Sequence, residues 1–205
     1  SLTSISDAFA YREEIGQHSA LIFRFPTDTR TFRYDLKGQK WTERKYYSAP
    51  FQTDYPVGAY VYWPRYNHHL VGLNTAAGGF ATLDSTSRQD LGGPLVCERT
   101  TGWQDFGGQQ VKRSRRVRAV VRRGTPEASV TTPGALEMRV QDDGRSWTQW
   151  RQISLGTPGQ IEQARDLFFG GVMRRRRYGL RFSNTESMSL VGLYDDLEDL
   201  EGVAL

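Results

Sequence analysis

Arginine is concentrated in two segments of this sequence. The first holds Arg113, Arg115, Arg116, Arg118, Arg122 and Arg123, and the second is the unbroken run Arg174, Arg175, Arg176 and Arg177. An arginine side chain presents a planar fork of donors that fits either a carboxylate or a phosphate. The sequence therefore leaves two roles open: contact with DNA phosphates without reading of the bases, or ion pairing with carboxylates within or between subunits.

An acidic stretch near the end of the sequence offers carboxylate partners for the arginines. It contains Asp195, Asp196, Glu198, Asp199 and Glu201. Because successive residues of a strand face opposite sides, the spacing predicts Arg113 and Arg115 on one face and Arg116 and Arg118 on the other. Apart from Tyr178, the arginine segments lack the interleaved aromatic residues that stack nucleic-acid bases. Recognition of a particular base sequence is therefore not expected.

The sequence lacks the common catalytic and metal-binding patterns. His68 and His69 are adjacent, which turns them to opposite faces of a strand, and His18 and the single Cys97 are distant in sequence. The acidic pairs lack the alternating spacing of a calcium loop, and the glycine pairs lack the ending of a phosphate loop. We therefore predict a protein that is not an enzyme and that holds no metal and no cofactor.

A turn rich in aspartate organises the last third of the sequence. The turn residues are Asp142, Asp143, Gly144 and Trp147, placed between an alternating apolar run and a second predicted strand. Asp-Gly supplies the positive φ of a tight hairpin turn, and aspartate can accept bonds from nearby backbone N–H groups. Asp-box turns of this kind occur in β-propellers, and we interpret this one as a hairpin corner without chemistry of its own. A sialidase-like or glycan-binding propeller module, using Tyr, Arg and carboxylates, remains the alternative.

The spacing of apolar runs and turns predicts strands throughout, at intervals typical of all-β domains. The predicted strands are residues 8–11, 19–25, 31–35, 40–46, 59–63, 69–73, 79–83, 115–121, 136–140, 147–155, 173–183 and 188–194. A weak helical period appears only at residues 160–168, so one short helix at most is expected. The fold class expected is all-β, with antiparallel four-stranded blades of the β-propeller type. It would be an incomplete propeller or the C-terminal part of a longer chain.

Composition fits that expectation. The 205 residues include 21 glycines and 12% aromatic residues. The single cysteine excludes an internal disulfide framework and suits a reducing compartment. Apolar runs fall well short of the ~18 residues of a membrane span.

A Gly-rich loop marks the predicted boundary between two parts of one propeller. Residues 1–103 form a first group of blades. Residues 104–205 carry the arginine strands, the Asp-box hairpin and the closing strands.

A series of different short motifs extends over nearly the whole chain. The motifs are Thr31-Phe32-Arg33-Tyr34-Asp35, Trp41-Thr42-Glu43-Arg44, Leu70-Val71-Gly72, Leu83-Asp84, the aspartate turn with Trp147 and Trp150, the run Arg174 to Tyr178, Leu180-Arg181-Phe182-Ser183, and Leu190-Val191-Gly192-Leu193-Tyr194. Together they resemble the packaged-DNA stabilisation family, the tail-hub or nozzle β-propeller proteins of short-tailed bacteriophages. The order of the motifs is more specific than any one of them.

The resemblance implies a virion protein of the phage tail, assembled in the host cytoplasm. Such a protein closes the portal channel, stabilises packaged DNA and takes part in genome ejection. It implies a homo-oligomeric ring, a hexamer in the family pattern, with portal and adaptor proteins above and a tail needle or spikes below. Non-specific contact with DNA and no membrane span are also implied. Since family members are considerably longer, the sequence is expected to be part of a longer protein.

Overall fold

The computed structural model describes residues 2–48, 51–84, 87, 89–123, 135–155, 162–183 and 188–200. These residues form an all-β fold, and every strand pairing with a described register is antiparallel. The predicted fold class is confirmed at this level. The helical structure among these residues is a 3-10 turn at Pro64–Tyr66, and none of it is long and apolar enough to cross a membrane.

The chain divides into two compact units, Ser1–Gly93 and Pro94–Leu205. The first unit contains β1 (Phe9–Ile15), β2 (His18–Phe25), β3 (Arg30–Asp35), β4 (Lys40–Ser48), β5 (Phe51–Asp54), β6 (Val57–Trp63), β7 (His68–Leu73), β8 (Phe80–Leu83) and β9 (Gln89–Asp90), which pairs with β10 (Gly93–Pro94). Strands β1 to β5 form a five-stranded meander, and β6 to β8 form a three-stranded one. The seven strands predicted between residues 8 and 83 are all present.

Two ion pairs show that the five-stranded sheet is curled. Arg44 on β4 donates to both carboxylate oxygens of Glu13 on β1, each at 2.7 Å. Arg24 on β2 likewise donates to both oxygens of Asp54 on β5, at 3.4 and 2.8 Å. Each pair joins strands that are three positions apart, which is roughly 14 Å in a flat sheet. The sheet therefore bends toward a half-barrel, with these charges on its inner side.

The second unit is built from two sheets. Its strands are β11 (Val96–Thr100), β12 (Lys112–Arg123), β13 (Ala135–Asp142), β14 (Arg151–Ser154), β15 (Glu162–Leu167), β16 (Val172–Met173), β17 (Arg176–Ser183) and β18 (Met188–Asp199). One sheet has the order β11-β17-β13-β14. In the other, β12 is flanked by β15 and β16 on one edge and by β18 on the opposite edge.

The two sheets of the second unit share one apolar core. Val117, Ala119 and Val121 enter it from β12, while Leu136 and Met138 enter it from β13. These residues alternate along their strands, as expected for a sheet with one buried face. The four-stranded sheet is consistent with a propeller blade, but a propeller arrangement is not confirmed and stays a prediction.

The prediction of at most one short helix, at residues 160–168, is wrong for residues 162–167, which the structure describes as a strand. Residues Glu162–Leu167 form β15, which pairs with β12. Within this strand Gln163 and Leu167 are buried, whereas Glu162, Ala164 and Asp166 are exposed. Burial against the core therefore follows a period of two residues, and this tertiary contact overrides a weak helical pattern.

Candidate functional site

The aspartate turn has the geometry that the sequence predicts. Asp143 and Gly144 have φ angles of 48° and 79°, and the Arg145 N–H donates to the Asp142 carbonyl at 2.8 Å. Positive φ at both central residues is the mark of a hairpin turn whose twist matches that of the strands. The second strand differs from the prediction: β14 begins at Arg151. The segment carrying Trp147 instead crosses the outside of the sheet.

Asp143 fixes the turn to the second arginine run. Its carboxylate accepts the backbone N–H groups of Arg174 and Arg175, both at 3.0 Å. The Asp143 N–H in turn donates to the Arg175 carbonyl at 3.1 Å. The aspartate turn and the arginine run, which lie more than 30 positions apart, thus form one corner of the unit.

Arg176 is the buried centre of this corner. Its side chain is 0% exposed and makes a two-pronged ion pair with Asp142, with Nε–Oδ1 and Nη2–Oδ2 distances of 2.6 and 3.0 Å. Its remaining nitrogen, Nη1, lies 3.1 Å from Asp195 Oδ2, and Nη2 also donates to the Gly170 carbonyl at 2.9 Å. Burial alone would lower the pKa of Arg176, but the hydrogen bonds and charges of Asp142 and Asp195 raise it above its ordinary value.

Asp195 on β18 extends the buried network to four strands, since Asp142 lies on β13, Arg176 on β17 and Ser114 on β12. Its Oδ1 accepts the Ser114 hydroxyl at 2.6 Å, and its Oδ2 accepts the Tyr178 hydroxyl at 2.5 Å. Burial, followed by the hydrogen bond to Asp195, raises the pKa of Tyr178 well above its ordinary value. Because these donors and acceptors satisfy one another, we assign the network a structural role.

Tryptophans and arginines alternate across the outer face of the β11-β17-β13-β14 sheet. The Arg139 guanidinium lies 4.6 Å from the Trp147 ring centre and 4.3 Å from that of Trp150. Arg177 lies 5.0 Å from the Trp103 ring and 4.9 Å from the Trp147 ring. The row is completed by Arg175 over Trp103 and Arg181 over Trp150. We call these residues the Trp–Arg row; its cation–π contacts clamp the loop after the aspartate turn onto the sheet.

Gly179 makes the Trp–Arg row possible. It stands directly opposite Arg139 in the pairing of β17 with β13. A Cβ atom at Gly179 would lie 2.9 Å from Arg139 Cγ and 3.4 Å from Trp147. Without that atom, the Arg139 side chain crosses β17 and reaches Glu98 on β11 at 2.7 Å.

The prediction that the arginines of β12 occupy both faces of the strand is wrong. Exposed positions on one side hold Arg113, Arg115, Arg118 and Arg122. The register shifts between Ser114 and Arg116, as in a β-bulge. Before the shift Ser114 is buried and Arg115 exposed; beyond it Val117 is buried and Arg118 exposed. The extra residue changes the phase of the alternation, so both sets of arginines point away from the core.

Four of the β12 arginines have carboxylate partners in the part of the chain that the structure describes. Arg115 pairs with Glu198 at 3.0 Å, and Arg116 lies 3.2 Å from Asp196 and 3.4 Å from Asp166. Arg118 makes a two-pronged contact with Asp166 at 2.7 and 3.0 Å, and Arg122 pairs with Glu162 at 3.0 Å. Hydrogen bonding to Arg118 holds the pKa of the Asp166 carboxyl below its usual range. Arg113, Arg174 and Arg175 also project from exposed positions.

Sequence reasoning missed an open cleft of about 730 Å³ in the first unit. Its lining includes Arg12, Glu14, Tyr60, Tyr62, Asn67, His68, His69, Thr82 and Asp84. The sequence pattern that could have predicted this cleft is the pair Tyr60 and Tyr62 on one predicted strand, with His69 on the next. Within the described ranges, no three His, Cys, Asp or Glu side chains come together as a metal site.

Comparison with known proteins leaves the family open. No family model matches the chain, and no curated protein matches it. The resemblance to phage tail-hub proteins therefore depends on the order of motifs in this sequence.

Proposed function

We propose that the chain is a structural, non-enzymatic subunit of a phage tail hub. In this proposal, copies of the chain form a ring below portal and adaptor proteins and above a tail needle or spikes. The ring closes the portal channel, stabilises the packaged DNA and opens for ejection. The observation that carries the proposal is the apolar outer face of the β6–β8 sheet in the first unit.

This outer face exposes large apolar side chains on neighbouring strands. Val61 and Trp63 on β6 are 57% and 47% exposed, and Phe80 on β8 is 85% exposed. The strand pairing places Val61 beside Leu70 on β7, and Phe80 beside Gly72 two residues further along β7. Alternation along β7 puts these residues on the same side of the sheet.

A sheet with one face in water normally alternates apolar and polar residues, whereas a sheet covered on both faces is apolar throughout. The β6 sequence, Val-Gly-Ala-Tyr-Val-Tyr-Trp, has the second pattern. Contiguous exposed apolar side chains mark surfaces that another protein covers. In the proposed ring, the covering surface is a second copy of the chain.

Two further features support a mechanical role. The Arg176 network and the Trp–Arg row join distant segments of the second unit, and such cross-linked structure resists local opening. Exposed Arg113, Arg174 and Arg175 supply cations for non-specific contact with DNA phosphates. The proposal includes the propeller arrangement, in which meanders such as β1 to β5 serve as blade-type sheets.

The native mass tests this proposal directly. We expect light scattering and negative-stain imaging to show a closed ring, formed by the chain alone or on portal–adaptor particles. Phe80→Asp places a charge in the proposed contact and should leave monomers. Phe168→Asp, at an exposed phenylalanine of the second unit, is the matched control and should leave the ring intact. A monomer that ignores the particles would contradict the tail-hub proposal.

A further inference from the structure

The cleft of the first unit is a second feature of the structure, and the tail-hub proposal does not use it. It is formed by residues of β1, β6, β7 and β8, together with residues of the turns before β2 and before β7 and with Asp84 after β8. Its volume of about 730 Å³ lies within the roughly 300–1,000 Å³ of ligand pockets. Because aromatic and polar side chains line the cleft together, it suits a ligand that has both an apolar surface and hydrogen-bonding groups.

The aromatic side chains of the cleft form a platform with fixed orientation. Tyr60 and Tyr62 lie two residues apart on β6, and His69 stands opposite Tyr62 on β7. The His69 ring centre is 4.8 Å from that of Tyr62 and 6.1 Å from that of Tyr60. We call these three residues the aromatic platform.

Hydrogen bonds between neighbours hold the two tyrosine rings of the platform. The Tyr60 hydroxyl and His69 Nδ1 lie 2.8 Å apart, and the Tyr62 hydroxyl donates to Asn67 Oδ1 at 2.9 Å. Side chains ordered before binding lose less entropy when a ligand arrives. With its hydroxyl bound to Asn67, Tyr62 is 43% exposed and its ring offers an apolar surface at the cleft.

The charges of the cleft are mixed in sign. Arg12 pairs with Glu14 on β1, and Asp84 is a further acidic residue of the lining. A phosphate would meet the carboxylates of Glu14 and Asp84, and a cation would meet the guanidinium of Arg12. Either charged ligand therefore faces a charge of its own sign. A neutral ligand with many hydroxyl groups meets no such repulsion, because hydroxyls both donate and accept hydrogen bonds.

We propose that this cleft is a binding site for neutral carbohydrate. The apolar C–H face of a sugar ring packs on Tyr62 of the aromatic platform. Its hydroxyls donate to the carboxylates of Glu14 and Asp84 and accept from the guanidinium of Arg12.

Saturation-transfer NMR with a panel of neutral trisaccharides tests the site. The panel contains maltotriose, cellotriose, chitotriose and mannotriose, and hexathymidylate serves as the anionic comparison. We expect transfer to at least one trisaccharide and none to hexathymidylate. Tyr62→Ala should weaken that binding about tenfold, because an aromatic stacking surface is lost. Tyr62→Phe keeps the ring and should keep most of the affinity.

Tyr194→Ala is the matched control, since Tyr194 is an exposed tyrosine of the second unit. It should bind the trisaccharide like the unaltered protein, and thermal unfolding of each variant checks that it is folded. The proposal is overturned if no trisaccharide binds, if folded Tyr62→Ala binds as well as the control, or if hexathymidylate competes for the cleft. Because every lining residue of the cleft belongs to one chain, the result does not depend on whether the ring forms.

Discussion

Arg176 differs from its neighbours in the arginine run because of where β17 begins. From Arg176 onward the strand alternates, so Arg176 and Tyr178 point into the unit while Arg177 points to the outer face. Arg174 lies before the strand and is exposed. Adjacent residues of the same type thus have different surroundings. One residue of the run holds the buried network, and the others contact solvent or the Trp–Arg row.

Replacing Arg176 by Met should destabilise the second unit strongly. The change leaves Asp142 and Asp195 facing each other without their cation, and removal of one partner of a buried ion pair costs about 3–5 kcal/mol. Urea unfolding followed by tryptophan fluorescence measures the loss in the free energy of unfolding. Arg174→Met makes the same substitution at an exposed position and should change little. Similar values for the two variants would contradict the structural role of the network.

The Tyr178 hydroxyl predicts how stability changes at alkaline pH. Burial and the bond to Asp195 raise the folded-state pKa of Tyr178 above the ordinary tyrosine value of about 10. Above that pH the unfolded chain loses the tyrosine proton while the folded chain keeps it, so the stability contribution of Tyr178 is full below pH about 10 and falls as the pH rises further.

Melting temperatures between pH 8 and 11 test this effect. Tyr178→Phe should be less stable than the unaltered protein at pH 8, because the bond to Asp195 is lost. Its melting temperature should then fall less steeply above pH 10, because the ionisable group is gone. Equal slopes for the two proteins would show that other groups govern alkaline unfolding.

At the scale of elements, β13 and β17 are joined on both faces of their sheet. Inward residues such as Met138 and Leu180 meet the core, while Arg139 crosses over Gly179 on the outer face. Arg139 can approach β17 this closely because Gly179 has no side chain. A substitution there affects the outer face and leaves the core residues unchanged.

Gly179→Ala should therefore destabilise the second unit by about 1–3 kcal/mol, the usual cost of forcing an extra carbon into a packed position. The new methyl group displaces Arg139 from Glu98 and from the tryptophan rings. Urea unfolding measures the loss. Gly102→Ala is the matched control, because a Cβ atom at Gly102 meets nothing within 4 Å. A loss no larger than that of the control would contradict the crossing contact.

At the scale of the whole molecule, the net charge of +4 conceals a marked difference between the arginine segments. On β12, carboxylates lie beside four arginines: Glu198 beside Arg115, Asp196 beside Arg116, Asp166 beside Arg118 and Glu162 beside Arg122. Arg174 and Arg175 form no comparable ion pair among the side chains that the structure describes. Contact with DNA phosphates should therefore come more from the second arginine run than from β12.

Two double variants that remove the same charge compare these segments. Arg174→Gln with Arg175→Gln should reduce the salt dependence of binding to a random-sequence DNA duplex by about one to two released ions. Arg118→Gln with Arg122→Gln should reduce it less, because Asp166 and Glu162 already offset those cations. Fluorescence anisotropy at several salt concentrations gives the slopes. A larger effect from the β12 pair would contradict this difference.

The sequence by itself determined the local elements. Alternation placed seven strands of the first unit within a few residues of their observed ends, although it did not predict Phe51–Asp54 and Gln89–Asp90. Asp-Gly predicted the turn at residues 142–144. Both predictions succeed because strand period and positive φ are properties of a few adjacent residues.

Only the tertiary structure decided which distant groups meet. The bulge in β12, the strand at Glu162–Leu167, the partners of Arg176 and the aromatic platform of the cleft each depend on the register between segments far apart in sequence. Spacing alone does not fix such a register, because one added residue reverses the face of every side chain that follows.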